Sequence, residues 1–219
     1  MIPALNEADC LADTLGDLQG LRAQGHEVIL ADGGSTDDTT AIALPLTDLV
    51  IQAPRGRACQ MNAGADRASG DVLWFLHADT RIPAQAPAAI MAALDGGKLW
   101  GRFDIRLSGA HPVLRIVEAA MNLRSRLSGI ATGDQGIFVT REGFHAVGRF
   151  PDIPLMEDIA VSKSLRAMER PACLKPALTT SSRRWEKQGL WRTIVLMWRL
   201  RLAYALGADP RQLARRYQG

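Results

Sequence analysis

Cysteine is scarce in these 219 residues and nowhere paired. Cys10, Cys59 and Cys173 stand far apart with no CxxC, which excludes a disulfide framework and disfavours zinc ligation. They read as buried or reduced thiols of a cytosolic protein. No apolar run approaches the roughly 18 residues that a spanning helix requires, and no signal peptide precedes Ile2. Helix-turn-helix, RRM-like and zinc-finger patterns are all missing, so nucleic acid is not an expected partner. No GxGxxG follows a strand, which disfavours an NAD enzyme. Repeats, low-complexity stretches and disordered linkers are also lacking.

What remains fits an enzyme with one core. A hydrophobic content of 47% is enough to bury a single sizeable domain, here assigned to residues 1–182, with a C-terminal appendage over 183–219. The net charge of +3 is uneven: residues 183–219 hold nine Lys or Arg against two acids, leaving 17 bases against 21 acids in the rest. A basic tail of this kind serves an anionic lipid, an anionic substrate or nucleic acid.

Strand and helix patterns alternate along the first half. Leu11, Leu15, Leu18 and Leu21 recur at helical spacing, residues 27–31 form a short apolar strand ending at Asp32, and residues 48–51 form another. Residues 58–68 read as a helix, 71–76 as a buried strand, and 83–94 as an alanine-rich helix with proline near its first turn. Strands near 99–107 and 136–140 then flank a helix from about 112 to 128. Such alternation predicts an α/β fold with a mostly parallel sheet flanked by helices, divided into a half over 1–97 and a second half over 98–182. At the start, either the first strand has been clipped or residues 1–5 form a short one.

Asp79, just past the buried strand in Trp74-Phe-Leu-His-Ala-Asp79, is placed to hold a divalent cation against a phosphorylated ligand. Some eighty residues later Met156-Glu157-Asp158 opens a helical pattern. Metal acid first and helix-opening acid later point to a sugar-nucleotide enzyme.

Five segments, Ile2-Pro-Ala-Leu-Asn-Glu7, Ala31-Asp-Gly-Gly-Ser-Thr-Asp37, His77-Ala-Asp79, Glu157-Asp158 and Arg183-Arg-Trp185, occur in the order and spacing of the family 2 glycosyltransferases, which the chain resembles over most of its length. Within that family it looks most like small bacterial transferases associated with radical-SAM, selenium or arsenosugar genes. The resemblance implies a GT-A fold, with ligands at the carboxyl ends of the strands. It assigns Pro3, Ala4, Asn6 and Glu7 to the loop lining the nucleoside, Asp32 to the base or ribose, and Arg57, ahead of Asn62, to the diphosphate. Ala78 lies in the same nucleotide wall. Read from the residues alone, Asp32 to Asp37 also makes a turn and helix cap, and Arg55 or Arg57 a solvated surface cation.

The family usually shows two acids at the metal, whereas here His77 replaces the first and Asp79 remains. One carboxylate, diphosphate oxygens and water complete the shell of Mg²⁺ or Mn²⁺. His77 either contacts nucleotide or metal or is hydrogen-bonded at the strand end. Asp158 matches the catalytic base that takes the acceptor's proton during inversion, with Glu157 orienting the acceptor. A helix-dipole role accounts for either acid without catalysis. Gln135, in Gly133-Asp-Gln-Gly136, matches the floor of the acceptor pocket. Arg184 and Trp185 resemble the QxxRW element, with Ser181 where glutamine would stand, so a single-sugar transfer to a small hydroxyl acceptor is expected rather than polymer synthesis. Trp185 is otherwise core.

Residues 190–206 alternate apolar residues with Arg192, Arg199 and Arg201 at helical spacing. Such a helix packs on its own domain, on a second copy in a homodimer, or on a membrane, which would place the protein in the cytoplasm at the inner membrane face. Two other functions stay open. A sugar-1-phosphate nucleotidylyltransferase would need a GxGxR-type loop after strand one, which Ala4-Leu5-Asn6 does not supply. A non-catalytic nucleotide-sugar-binding or membrane-surface protein is the other.

Overall fold

The computed structural model describes residues 1–183, 186 and 189–218. The chain runs β1 (Ile2–Ala4), α1 (Ala8–Arg22), β2 (Ile29–Asp32), α2 (Thr39–Ala43), β3 (Leu49–Gln52), α3 (Arg57–Arg67) and β4 (Val72–Trp74). It continues through α4 (Ala86–Asp95), β5 (Trp100–Leu107), α5 (Pro112–Ser128), a 3₁₀ turn (Gly133–Gln135), β6 (Phe138–Thr140), α6 (Arg141–Ala146), α7 (Glu157–Met168) and β7 (Ala172–Thr180). Two helices, α8 (Leu190–Ala205) and α9 (Pro210–Gln218), follow.

Strands β1, β2 and β3 pair in parallel. The second group has the order β4-β6-β5-β7, with β6 antiparallel to both neighbours and β5 parallel to β7. The groups join where Leu76 N–H donates to Met1 O at 3.0 Å. The sheet is thus mostly parallel, with β6 running against it. The first strand is present as three buried residues.

Alternation along the β4 region sends Val72, Trp74 and Leu76 to one face and Leu73 and Phe75 to the other. The first face meets Leu11, Leu15 and Leu18 of α1 and Ile90 of α4. The second meets Ala58, Met61 and Ala65 of α3 and Val161 and Leu165 of α7. Such two-sided cover is what a parallel sheet requires. Truncating Leu15, which is fully buried, would cost about 2–5 kcal/mol.

The C-terminal helices are not detached. Leu200 of α8 and Leu213 and Ala214 of α9 form a cluster with Leu155, Met156 and Ile159 around the start of α7. They therefore brace the turn that carries Glu157 and Asp158. The other side of α8 is bare: Trp191, Val195, Trp198, Leu202 and Leu206 are 71%, 52%, 72%, 62% and 80% exposed. Own-domain packing thus covers one face of α8 and leaves a second apolar face in the open. Among the described residues no helix is long and apolar enough to cross a membrane.

Candidate active site

At the carboxyl ends of β1 and β4 lies a cavity of about 790 Å³, where Pro3, Ala4, Glu7, Arg57, His77, Ala78, Asp79 and Asp134 converge. A smaller space of about 460 Å³ near Arg106 and Arg115 collects none of these residues.

The loops below the cavity are closed by their own side chains. Asn6, with φ of 55°, accepts from Thr36 N–H at 2.8 Å, and its own N–H donates to Ser35 Oγ at 2.9 Å. Asp32 is buried and accepts from Gly34 N–H at 3.0 Å, Ser35 N–H at 3.1 Å and the Ser35 hydroxyl. Burial alone would raise its pKa, but these donors, with Gln52, hold it below the ordinary value. Gln60 donates to Ala4 O at 2.7 Å and Ala31 O at 2.8 Å, tying β1 to β2, and a Cβ on Gly33 would press on it at 3.1 Å. Asn62 spends both ends of its amide on the backbone of Phe150, at 2.8 and 3.2 Å. Asn6, Asp32 and Asn62 thus frame the cavity without lining it.

The opposite wall is ionic. His77 Nδ1 lies 3.1 Å from Asp134 Oδ1. Burial opposes the imidazolium, yet Asp134 outweighs burial and the His77 pKa is raised. The ring occupies the space a Cβ on Gly133 would need, so any larger residue there would have to displace it. Gly133 N–H donates to Asp158 Oδ2 at 2.8 Å, while Ile159 N–H donates to Oδ1 at 2.7 Å. Each Asp158 oxygen keeps a lone-pair position, although the residue stands behind Gly133 rather than on the cavity wall. Glu157 is 2% exposed. Its Oε1 takes the Nε of Arg57 at 2.7 Å, and its buried Oε2 has no partner among the described residues. Burial dominates and raises its pKa against the pull of Arg57. Gln135 is buried beneath, where its side chain and Thr132 close a capping box.

Asp79 faces the cavity with its pKa raised, first by burial and then by Asp134, against His77 and Arg183. A desolvated carboxylate fits one protein ligand of a dication whose other ligands are phosphate oxygens and water. Among the described residues no group of three His, Cys, Asp or Glu converges as a complete cage. Arg183 stands at this end, its Nη2 3.6 Å from Glu7 Oε2 and 3.3 Å from Cys10 Sγ. Arg184 and Trp185, expected at the diphosphate or acceptor, lie outside the described residues.

Motif reading missed the contribution of the C-terminal helices, where Thr193, Met197, Arg211 and Tyr217 complete the wall. The basic bias of the tail was the one available signal, and it carried no positional information.

The sequence model of glycosyl transferase family 2 matches residues 1–137. A poly-β-1,6-N-acetyl-D-glucosamine synthase of Staphylococcus aureus (strain MSSA476) is 30% identical over 93 residues, 40% of this chain and 23% of that protein. The S. aureus TarS structure in complex with UDP-GlcNAc superposes with a TM-score of 0.67 at 17% identity, over 82% of this chain and 57% of that one. The mannosyltransferase PcManGT of Pyrobaculum calidifontis, in complex with GDP-Man and Mn²⁺, gives 0.64 at 21% identity, over 92% and 59%. The chain thus spans less than a quarter of the curated relative and under two thirds of these structures, and the shared architecture is the GT-A fold.

Proposed function

The chain belongs to glycosyl transferase family 2, and from that premise we propose that it moves one sugar, with inversion, from a UDP-sugar to a small hydroxyl acceptor. The observation that carries this reading is the single cavity in which Pro3, Ala4, Arg57, Asp79 and Asp134, drawn from four distant segments, meet. Similarity to a structure bound to UDP-GlcNAc supports the choice of nucleotide.

In this reading Pro3, Ala4, Glu7 and Ala78 hold the nucleoside, on a floor kept rigid by Asn6, Asp32 and Asn62. Arg57 and Arg183 face the diphosphate, with Arg184 and Trp185 as further candidates there. Asp79 would hold Mg²⁺ or Mn²⁺, which when bound neutralises charge on the leaving diphosphate. Asp158 takes the proton of the acceptor hydroxyl as its oxygen bonds to the anomeric carbon. The bond from that carbon to the phosphate oxygen breaks, and its electron pair leaves with the nucleoside diphosphate. Glu157 positions the acceptor, and Gln135, buried in its capping box, fixes the turn beneath it rather than touching it. Asp134 is the alternative base, because it lies on the wall itself.

The bare face of α8 is read as a peripheral contact with anionic membrane at the cytoplasmic side, since its two exposed tryptophans are bordered by exposed Arg192 and Arg199. A homodimer through that face is the competing outcome.

The test is incubation of the full chain with a panel of nucleotide sugars and Mn²⁺. Nucleotide diphosphate should appear from one donor, and chelating the cation or making Asp79→Asn should suppress it. Release from no donor under any condition, with UDP still bound by calorimetry, would leave the non-catalytic nucleotide-sugar-binding alternative.

A further inference from the structure

We propose that Arg124 and Arg201 form an oxyanion subsite beside Asp158, and that the hydroxyl acceptor carries a phosphate or a carboxylate. The inference rests on the transferase reading and narrows its acceptor.

Arg124 projects from α5 with its Nε and Nη2 shut off from solvent and without a hydrogen-bond partner. Arg201, half-buried on α8, makes no hydrogen bond or ion pair among the described residues. The two guanidinium groups are near enough to repel, and burial followed by that repulsion pushes Arg124 down to about 10. Burial likewise lowers Arg201. A desolvated cation without a partner is costly. Other arginines keep a carboxylate partner even where one nitrogen is left over: buried Arg102 is held by Asp104, Phe103 O and Asn122 O with only its Nε unpaired, and Arg57 is held by Glu157.

The location points to the acceptor end. Arg124 follows Met121 by three residues and Arg201 follows Met197 by four, so each lies one turn along a helix face whose methionine lines the cavity. Both arginines feel the carboxylates of Asp158 and Asp134. Arg183, by contrast, feels Glu7 and Asp79 at the donor end. Two guanidinium groups lying close behind the wall, each one turn from a methionine that lines it, match one oxyanion that accepts paired hydrogen bonds from each fork. That same anion would draw the acceptor hydroxyl toward Asp158.

The test uses the full chain saturated with UDP and Mn²⁺, so that the diphosphate position is blocked. Inorganic phosphate is titrated calorimetrically, followed by glycerol, glycerate and glycerol phosphate. Wild type should bind phosphate, and should prefer a charged probe over glycerol, the tighter one identifying the oxyanion. R124Q and R201Q should each weaken phosphate binding roughly tenfold or more while UDP affinity holds. R201K keeps the charge but not the fork, should lose less, and serves if R124Q does not fold. Equal phosphate affinity in wild type and variants, or no preference for a charged probe, overturns the subsite. Failure of wild type to bind UDP would instead strike the transferase reading, which the donor titration reports separately.

Discussion

The loops under the nucleotide end and the wall around Asp158 treat polar groups in opposite ways. Beneath the nucleotide end, Asn6, Asp32, Gln60 and Asn62 all spend their side chains on the protein's own backbone. Around Asp158, Oε2 of Glu157 and Nε and Nη2 of Arg124 are buried without a partner among the described residues, and Arg201 beside them is half-buried. Satisfied buried polar groups make a frame, whereas unsatisfied ones are tolerated where a ligand supplies the missing bonds. The difference separates a satisfied frame at the nucleotide end from an incompletely satisfied cluster around Asp158.

The comparison is most severely strained at Arg57, which joins the two regions through its 2.7 Å contact with Glu157. Arg57→Gln strands a buried carboxylate, and with the arginine itself 38% exposed the loss sits at the low end of the usual range, about 3 kcal/mol. The Glu157 pKa is raised from an ordinary 4.5, so the stability it contributes is full below that value and is lost as pH rises through the folded one. Chemical denaturation should therefore show a deficit that grows with pH and is largely recovered in Arg57→Gln/Glu157→Gln. A deficit that persists unchanged in the double variant would show that the ion pair is not its source.

A smaller effect is expected at Gly133. Its missing Cβ makes room for the His77 ring, so Gly133→Ala should cost about 1–3 kcal/mol of thermal stability through overpacking. His77→Ala should relieve most of that cost in a double-mutant cycle. Additive effects would mean that the ring does not decide the glycine.

The weakest effect belongs to the bare face of α8. Full-length protein should sediment with acidic liposomes at low salt and be released as ionic strength rises, because screening weakens surface attraction. Trp198→Ser should reduce that recovery. Equal recovery with neutral and acidic vesicles, together with a dimer in solution, would assign the face to a second copy.

Much of the frame was legible in the sequence, because local pattern and final structure agree there. Residues 112–128 form α5 over the expected span, and the apolar run of β4 lies buried between two helical layers. Strand β7 was not legible: Lys175 and Pro176 break its pattern, and they fall in a register shift opposite Phe103 and Asp104. Proline has no N–H to give a ladder, so it is placed in the bulge. Asn62 carried a motif signal toward the diphosphate, but its partner is 88 residues away, and spacing does not reveal a tertiary bond. In the sequence Arg201 is one of three arginines interleaved with the apolar positions of residues 190–206, with nothing to set it apart. In the fold Arg192 and Arg199 are exposed, while Arg201 turns inward toward Asp158.

The central claim is that Asp158 is the base, and Asp158→Asn tests it most directly. The substitution keeps size but only one acceptor oxygen for the two backbone N–H groups that Asp158 receives, so folding should weaken by about 1–3 kcal/mol while leaving the protein folded. Binding of UDP with Mn²⁺ should be unchanged, while transfer from the donor identified by the panel should fall by about a hundredfold to ten-thousandfold. Wild-type turnover in Asp158→Asn, with donor binding intact, would contradict the account and move the base to Asp134.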